Sequence, residues 1–136
     1  MENEVLVQMG EQAYTTHITY KDLNLIADEP EDLGGQNLGF PPTALFLSSI
    51  GSCKAMTMRM YADRKQWKLN SIEIQVYSET IKSELQQTTF ITCNIKIDGE
   101  LDAEQRKRLY TIGEKCPIQK MLSNPVVIES NLIDTI

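Results

Sequence analysis

Three side chains in this sequence can act as sulfur nucleophiles: Cys53, Cys93 and Cys116. The thiolate is the reactive form of cysteine, and it attacks disulfides and peroxide oxygen and binds metals. The three are widely spaced, with no CxxC pair, and their odd number leaves no disulfide framework. His17 is the single histidine, so no Cys/His cluster with zinc-ligand spacing exists and no metal site is expected. Each cysteine is then either a small buried hydrophobe or a reactive thiol.

Cys93 alternates with Ile91, Ile95 and Ile97 on the apolar side of a strand pattern, and a packed core position is expected there. Cys53 lies in the middle of a long apolar stretch. Apolar surroundings raise a thiol's pKa and make it inert, so a reactive Cys53 needs a cation or hydrogen-bond donor brought from elsewhere. Lys54 points about 100° away around a helix, and Arg59 falls on another side. Cys116 precedes Pro117, and proline is favoured at the first position of a helix. That puts Cys116 at an N-cap, where backbone N–H groups and the helix dipole favour a thiolate; Lys115 and Lys120 add positive potential. Alternatively, Cys116 continues the Leu109–Ile112 face into the core. Local sequence leaves both readings open for Cys53 and for Cys116. His17 shares a polar strand face with Thr15 and Thr19 and reads as a solvated surface residue.

The elements that must position these thiols can be read from periodicity. Val5, Val7 and Met9 alternate, Gly10-Glu11-Gln12 offers a turn, and Tyr14, Thr16, Ile18 and Tyr20 alternate again, which is a hairpin signal. Leu23 to Ala27 adds a third short strand. Residues 28–43 are acidic, then rich in Gly and Pro, and form a long loop, either functional or disordered. From Ala44 to Lys65 apolar residues go almost all the way round a helix, and such a helix is a buried one. At ~20 residues it runs roughly 30 Å, more than the rest of the chain can cover. A second subunit is therefore expected against it, with Ser48, Ser49, Gly51 and Ser52 small enough for close approach. Ile72, Ile74 and Val76, then Ile91, Cys93, Ile95 and Ile97, mark two strands joined by a loop from about Ile81 to Thr88. Asp98-Gly99 turns the chain. Asp102 and Gln105 form a capping box ahead of a helix from Ala103, Ile118–Leu122 makes a short helical piece, and Val126–Ile128 a final strand.

The 136 residues, 41% hydrophobic and 24% charged, fit one α+β domain over 1–136. A formal net charge of −6 argues against nucleic acid and against an anionic membrane surface as partners. Met1-Glu2-Asn3-Glu4 carries neither a basic nor an apolar leader region, and no stretch approaches a membrane span. Free cysteines without a leader suggest a reducing, cytoplasmic setting.

Three segments resemble the OsmC/Ohr family of thiol-dependent hydroperoxide reductases. Gly34-Gly35-Gln36-Asn37-Leu38-Gly39-Phe40-Pro41-Pro42 is similar to the family's lead-in to its central helix. Leu45 to Ala62, with Ser52-Cys53-Lys54-Ala55-Met56-Thr57-Met58-Arg59-Met60-Tyr61 within it, is similar to that helix and its cysteine. Lys115-Cys116-Pro117-Ile118-Gln119-Lys120 is similar to the second-cysteine motif. The resemblance spans essentially the whole chain. It implies an intertwined homodimer in which curved antiparallel sheets surround long buried central helices. It also implies that Cys53 is peroxidatic and Cys116 resolving, with a small organic hydroperoxide as substrate, an external dithiol as reductant and no bound cofactor. Active members also carry a Glu where this chain has Ala44, an Arg from the N-terminal half where the bases upstream of Cys53 are His17 and Lys21, and a His where it has Gln119. Burying a thiolate without a cation costs several kcal/mol. The alternative is a catalytically weak dimer of the same fold that binds an apolar ligand or senses redox state.

Overall fold

The computed structural model describes residues 3–133, so the expectation about a leader at Met1 and Glu2 falls outside them. The chain divides into two compact units, Met1–Ser48 and Ser49–Ile136, and each is described by itself.

In the first unit, β1 (Leu6–Met9), β2 (Thr16–Tyr20) and β3 (Leu23–Ala27) form an antiparallel sheet in the order β1-β2-β3, as the alternation indicates. The 28–41 segment that follows is ordered around one carboxylate. Asp28 is only 2% exposed. It accepts hydrogen bonds from the backbone N–H of Glu29 (2.8 Å), Leu38 (3.2 Å) and Gln36 (3.3 Å) and from the Thr15 hydroxyl (3.3 Å). A 3-10 turn over Glu31–Leu33 ends on Gly34 at φ 92°, a left-handed conformation that glycine adopts without strain. The loop then returns against β3, where Asp28 N–H bonds the Phe40 carbonyl at 3.1 Å. A Cβ on Gly39 would stand 2.0 Å from the Ile26 carbonyl oxygen, so this close return admits only glycine.

Burial pushes the Asp28 carboxyl up, but the three backbone N–H donors and Thr15 outweigh it and hold its pKa below the ordinary carboxylate value. A carboxyl with a depressed folded pKa stabilises the fold above its unfolded pKa of about 3.9, and that contribution is lost as pH falls through the folded value. Acidification from pH 5 is therefore expected to lower the melting temperature of the wild type more than that of Asp28→Asn, measured by calorimetry. Equal slopes would contradict this account of the loop.

Helix α1 (Pro42–Arg64) begins two residues before the expected Ala44 because proline is preorganised for a first turn. It ends with Gln66 at φ 58°, with Gln66 N–H on the Asp63 carbonyl (3.1 Å) and Trp67 N–H on that of Ala62 (2.9 Å), a Schellman closure.

In the second unit, β4 (Lys68–Lys82) and β5 (Gln87–Glu100) form a long antiparallel ladder with a four-residue turn at 83–86, so the strands run further into the expected 81–88 loop. Asp98-Gly99 does not turn the chain: these residues pair with Ser71 and Leu69 across a register shift. A Cβ on Gly99 would lie 2.2 Å from the Lys68 carbonyl oxygen, so the glycine serves this irregularity and not a turn. Two guanidinium groups satisfy the carbonyls nearby. Arg59 bonds Leu69 O (2.6 Å) and Asn70 O (3.2 Å), and Arg106 bonds Ile97 O (2.5 Å), Gly99 O (3.0 Å) and Leu101 O (3.3 Å).

Helix α2 (Ala103–Gly113) opens with the expected capping box between Asp102 and Gln105, and α3 (Pro117–Leu122) follows. The core gathers Met58 and Ala62 of α1, Leu69 of β4 and Leu109 of α2, flanked by Ile72, Ile74, Ile95 and Ile97. Helix α1 buries one stripe, Ile50, Lys54, Met58 and Ala62, while Met56 and Met60 stay about three-fifths exposed. The strand expected at Val126–Ile128 is not formed. Val127 and Ile128 are 83% and 85% exposed; a β-branched run becomes a strand only where a neighbouring edge supplies hydrogen bonds and side-chain contacts. No helix among the described residues is long and apolar enough to cross a membrane.

Candidate thiol site

Cys116 occupies the N-cap of α3 with an extended backbone (φ −65°, ψ 144°), followed by Pro117 in the first turn. It is also fully buried. Both local readings thus hold at once: the residue caps a helix and belongs to the core. The Gln119 backbone N–H faces the sulfur from the third helical position and favours the thiolate, although the contact is too loose to count as a cap hydrogen bond.

Cys53 lies half-buried on α1, near enough to Cys116 to raise its pKa. Burial pushes the Cys116 thiol up most strongly. The Gln119 N–H opposes that, the neighbouring Cys53 adds to it, and Lys54 pulls down, leaving the net pKa above the ordinary thiol value. The Cys116 thiol is thus raised although it stands at the N-cap, a position that favours a low-pKa thiol.

Lys54 is the functional candidate that the sequence reading passed over. It is 3% exposed, in register with Ile50, Met58 and Ala62 on the buried stripe. Its ammonium donates to the Gly113 carbonyl (3.2 Å), to Glu114 Oε2 (3.4 Å) and, most closely, to Gln119 Oε1. Gln119 in turn donates to Glu114 Oε2 at 2.7 Å. This bond, with Lys54 and Tyr110, holds the Glu114 carboxyl below its usual value against a smaller opposing effect of burial. The signal that could have found Lys54 was the four-residue spacing of the stripe, which puts a charge where a core residue stands.

Cys93 departs from the expected packed core. It is half-buried on the wall of a cleft of about 290 Å³ that it shares with Ile50, Lys54, Ile91, Ile95, Tyr110 and Glu114. Burial pushes its thiol up, Lys54 draws it down and Glu114 raises it again. Arg59 is committed to the Leu69 and Asn70 carbonyls. His17, in the first unit, is exposed on β2 opposite Gln8 and Ile26, the surface position expected of it. Among the described residues no cluster of His, Cys, Asp or Glu has the arrangement of a metal site.

Comparison with known proteins adds a family to this geometry. The family described as OsmC-like protein matches residues 34–131. A sequence search of curated proteins gives no match. Among solved structures, an OsmC-like protein from Mycoplasma pneumoniae superposes with a TM-score of 0.74 at 17% identity, over 88% of this chain and 86% of that one. An organic hydroperoxide resistance protein OsmC from Legionella pneumophila gives 0.64 at 19% identity, over 88% and 87%. The organic hydroperoxide resistance protein OhrB of Bacillus subtilis gives 0.60 at 22%, over 87% of both chains. At these identities the likeness is one of fold, an α+β arrangement of antiparallel sheets and helices.

Proposed function

The chain belongs to the OsmC-like family, and from that premise we propose that it reduces organic hydroperoxides with Cys53 as the peroxidatic and Cys116 as the resolving thiol. The Cys53 thiolate attacks the terminal oxygen of the hydroperoxide. The O–O bond breaks, the alkoxide takes a proton and leaves as alcohol, and the two-electron oxidation stays on sulfur as Cys53 sulfenic acid. Cys116 then attacks that sulfur as thiolate. The S–S bond forms, and the hydroxide released takes the Cys116 proton as water. An external dithiol reopens the disulfide by exchange, so the cycle needs no bound cofactor.

The observation that carries this reading is the proximity of the Cys53 and Cys116 thiols, close enough for Cys53 to raise the Cys116 pKa. Supporting it, two solved structures of similar fold are described as organic hydroperoxide resistance proteins. The working form proposed is a homodimer in the cytoplasm. Support for the dimer comes from the apolar side chains that one chain leaves open on α1, Met56 at 60% and Met60 at 62% exposure. The test is consumption of cumene hydroperoxide with dithiothreitol as reductant. Steady turnover above the rate of dithiothreitol alone is expected, and a background rate would overturn the proposal.

A second reading is favoured by one observation. The cleft beside Cys93 is walled by Ile50, Ile91 and Ile95, which suits a small apolar ligand in a weak or inactive relative. Co-purification of such a molecule together with a background peroxide rate would favour it.

A further inference from the structure

We propose that Lys54 is a positioning residue for the thiol pair: its buried ammonium ties the segment carrying Cys116 to helix α1 and lends positive charge to the space beside Cys116 and Cys93. The inference rests on reading Cys53 and Cys116 as a redox pair, and it names a cation that serves that pair.

The geometry argues for it in two steps. A buried charge is costly unless it is paired and hydrogen-bonded, and Lys54, 3% exposed, has three acceptors. All three come from the stretch that brackets Cys116: Gly113 at the end of α2, Glu114 at its C-cap, and Gln119 in the first turn of α3. Because α1 holds Cys53 and Lys54 at consecutive positions, the bonds that Lys54 makes to 113–119 also fix the segment carrying Cys116 against the helix carrying Cys53. The second step is electrostatic. The groups facing the ammonium are the Glu114 carboxylate with Tyr110 on it from α2, Gln119 from α3, Cys93 from β5, and Cys116. In that setting Lys54 draws both Cys116 and Cys93 toward the thiolate, while Glu114 opposes it at Cys93. Resolution of the sulfenic acid needs Cys116 to give up its proton from a buried site, and the ammonium offsets part of what burial costs that step.

The test is made on the fully reduced protein without peroxide, so its outcome is independent of whether the chain turns over hydroperoxides. The thiol titrations of Cys93 and of the fully buried Cys116 are followed as a function of pH by the 13Cβ chemical shifts of 13C-cysteine-labelled protein, which need no reagent to reach the sulfur. In Lys54→Met the midpoints at both cysteines are expected to move up by about one pH unit, a roughly tenfold smaller thiolate fraction below the midpoint. Lys54→Arg should restore most of the shift. A merely structural lysine would leave the midpoints in place. Folded Lys54→Met with unmoved midpoints would overturn the proposal. If Lys54→Met fails to fold, Glu114→Gln decides. Its carboxylate is 40% exposed, and its loss should move the Cys93 midpoint down. A Cys93 midpoint that stays in place or rises would overturn the proposal.

Discussion

Replacing Cys53 by serine is expected to lower hydroperoxide consumption by at least about 10³-fold, to the rate of the dithiol alone. The proposed cycle has one atom that accepts the peroxide oxygen, and a neutral hydroxyl in its place is a far weaker nucleophile. The change is small in volume and Cys53 is half-buried, so the fold should survive it, which circular dichroism checks. The departures at Ala44 and Gln119 and the missing N-terminal arginine bear on how fast the wild type runs. They do not bear on which sulfur reacts. Residual turnover in Cys53→Ser would move the chemistry to another thiol, with the cleft-lining Cys93 the first to examine.

Cys116→Ser is expected to separate the two half-reactions. The first oxidation of Cys53 should proceed within a few-fold of the wild-type rate. Disulfide formation should be lost, so that Cys53 sulfenic acid accumulates and is trapped by dimedone. Repeated doses of hydroperoxide should then inactivate this variant at least about tenfold faster than the wild type, because an unresolved sulfenic acid goes on to the irreversible sulfinic and sulfonic acids. The variant also puts a hydroxyl in a fully buried site, so some loss of stability accompanies it. Wild-type resistance to repeated dosing in Cys116→Ser would remove it from the resolving role.

Much of the fold was legible because local chemistry fixes it. Alternation at Thr16, Ile18 and Tyr20 marks a strand whatever its neighbours are, and Asp102 with Gln105 satisfies helix N–H groups within its own turn. Cys116 before Pro117 offered an N-cap for the same reason, beside the core reading that also holds. The misses share another cause, since each depends on which surfaces meet in space. A helix apolar on every side does not reveal which stripe its own chain covers, and the helical spacing that turns Lys54 away from Cys53 does not show that Lys54 stands on the buried stripe. Asp98-Gly99 carries a turn signature, but its glycine answers a close approach of the Lys68 carbonyl. Val126–Ile128 has strand composition but pairs with no strand among the described residues. Cys93 shares its strand face with isoleucines, as expected, but that face opens on a cleft.

The central claim, that Cys53 and Cys116 form the redox pair, is tested most directly by oxidising fully reduced protein with one equivalent of cumene hydroperoxide. Free thiols are then blocked with iodoacetamide, and the disulfide is located by peptide mass spectrometry without reduction. The predicted product is an intramolecular Cys53–Cys116 disulfide with Cys93 alkylated. Recovery of all three cysteines alkylated, or of the disulfide at Cys93, would contradict it.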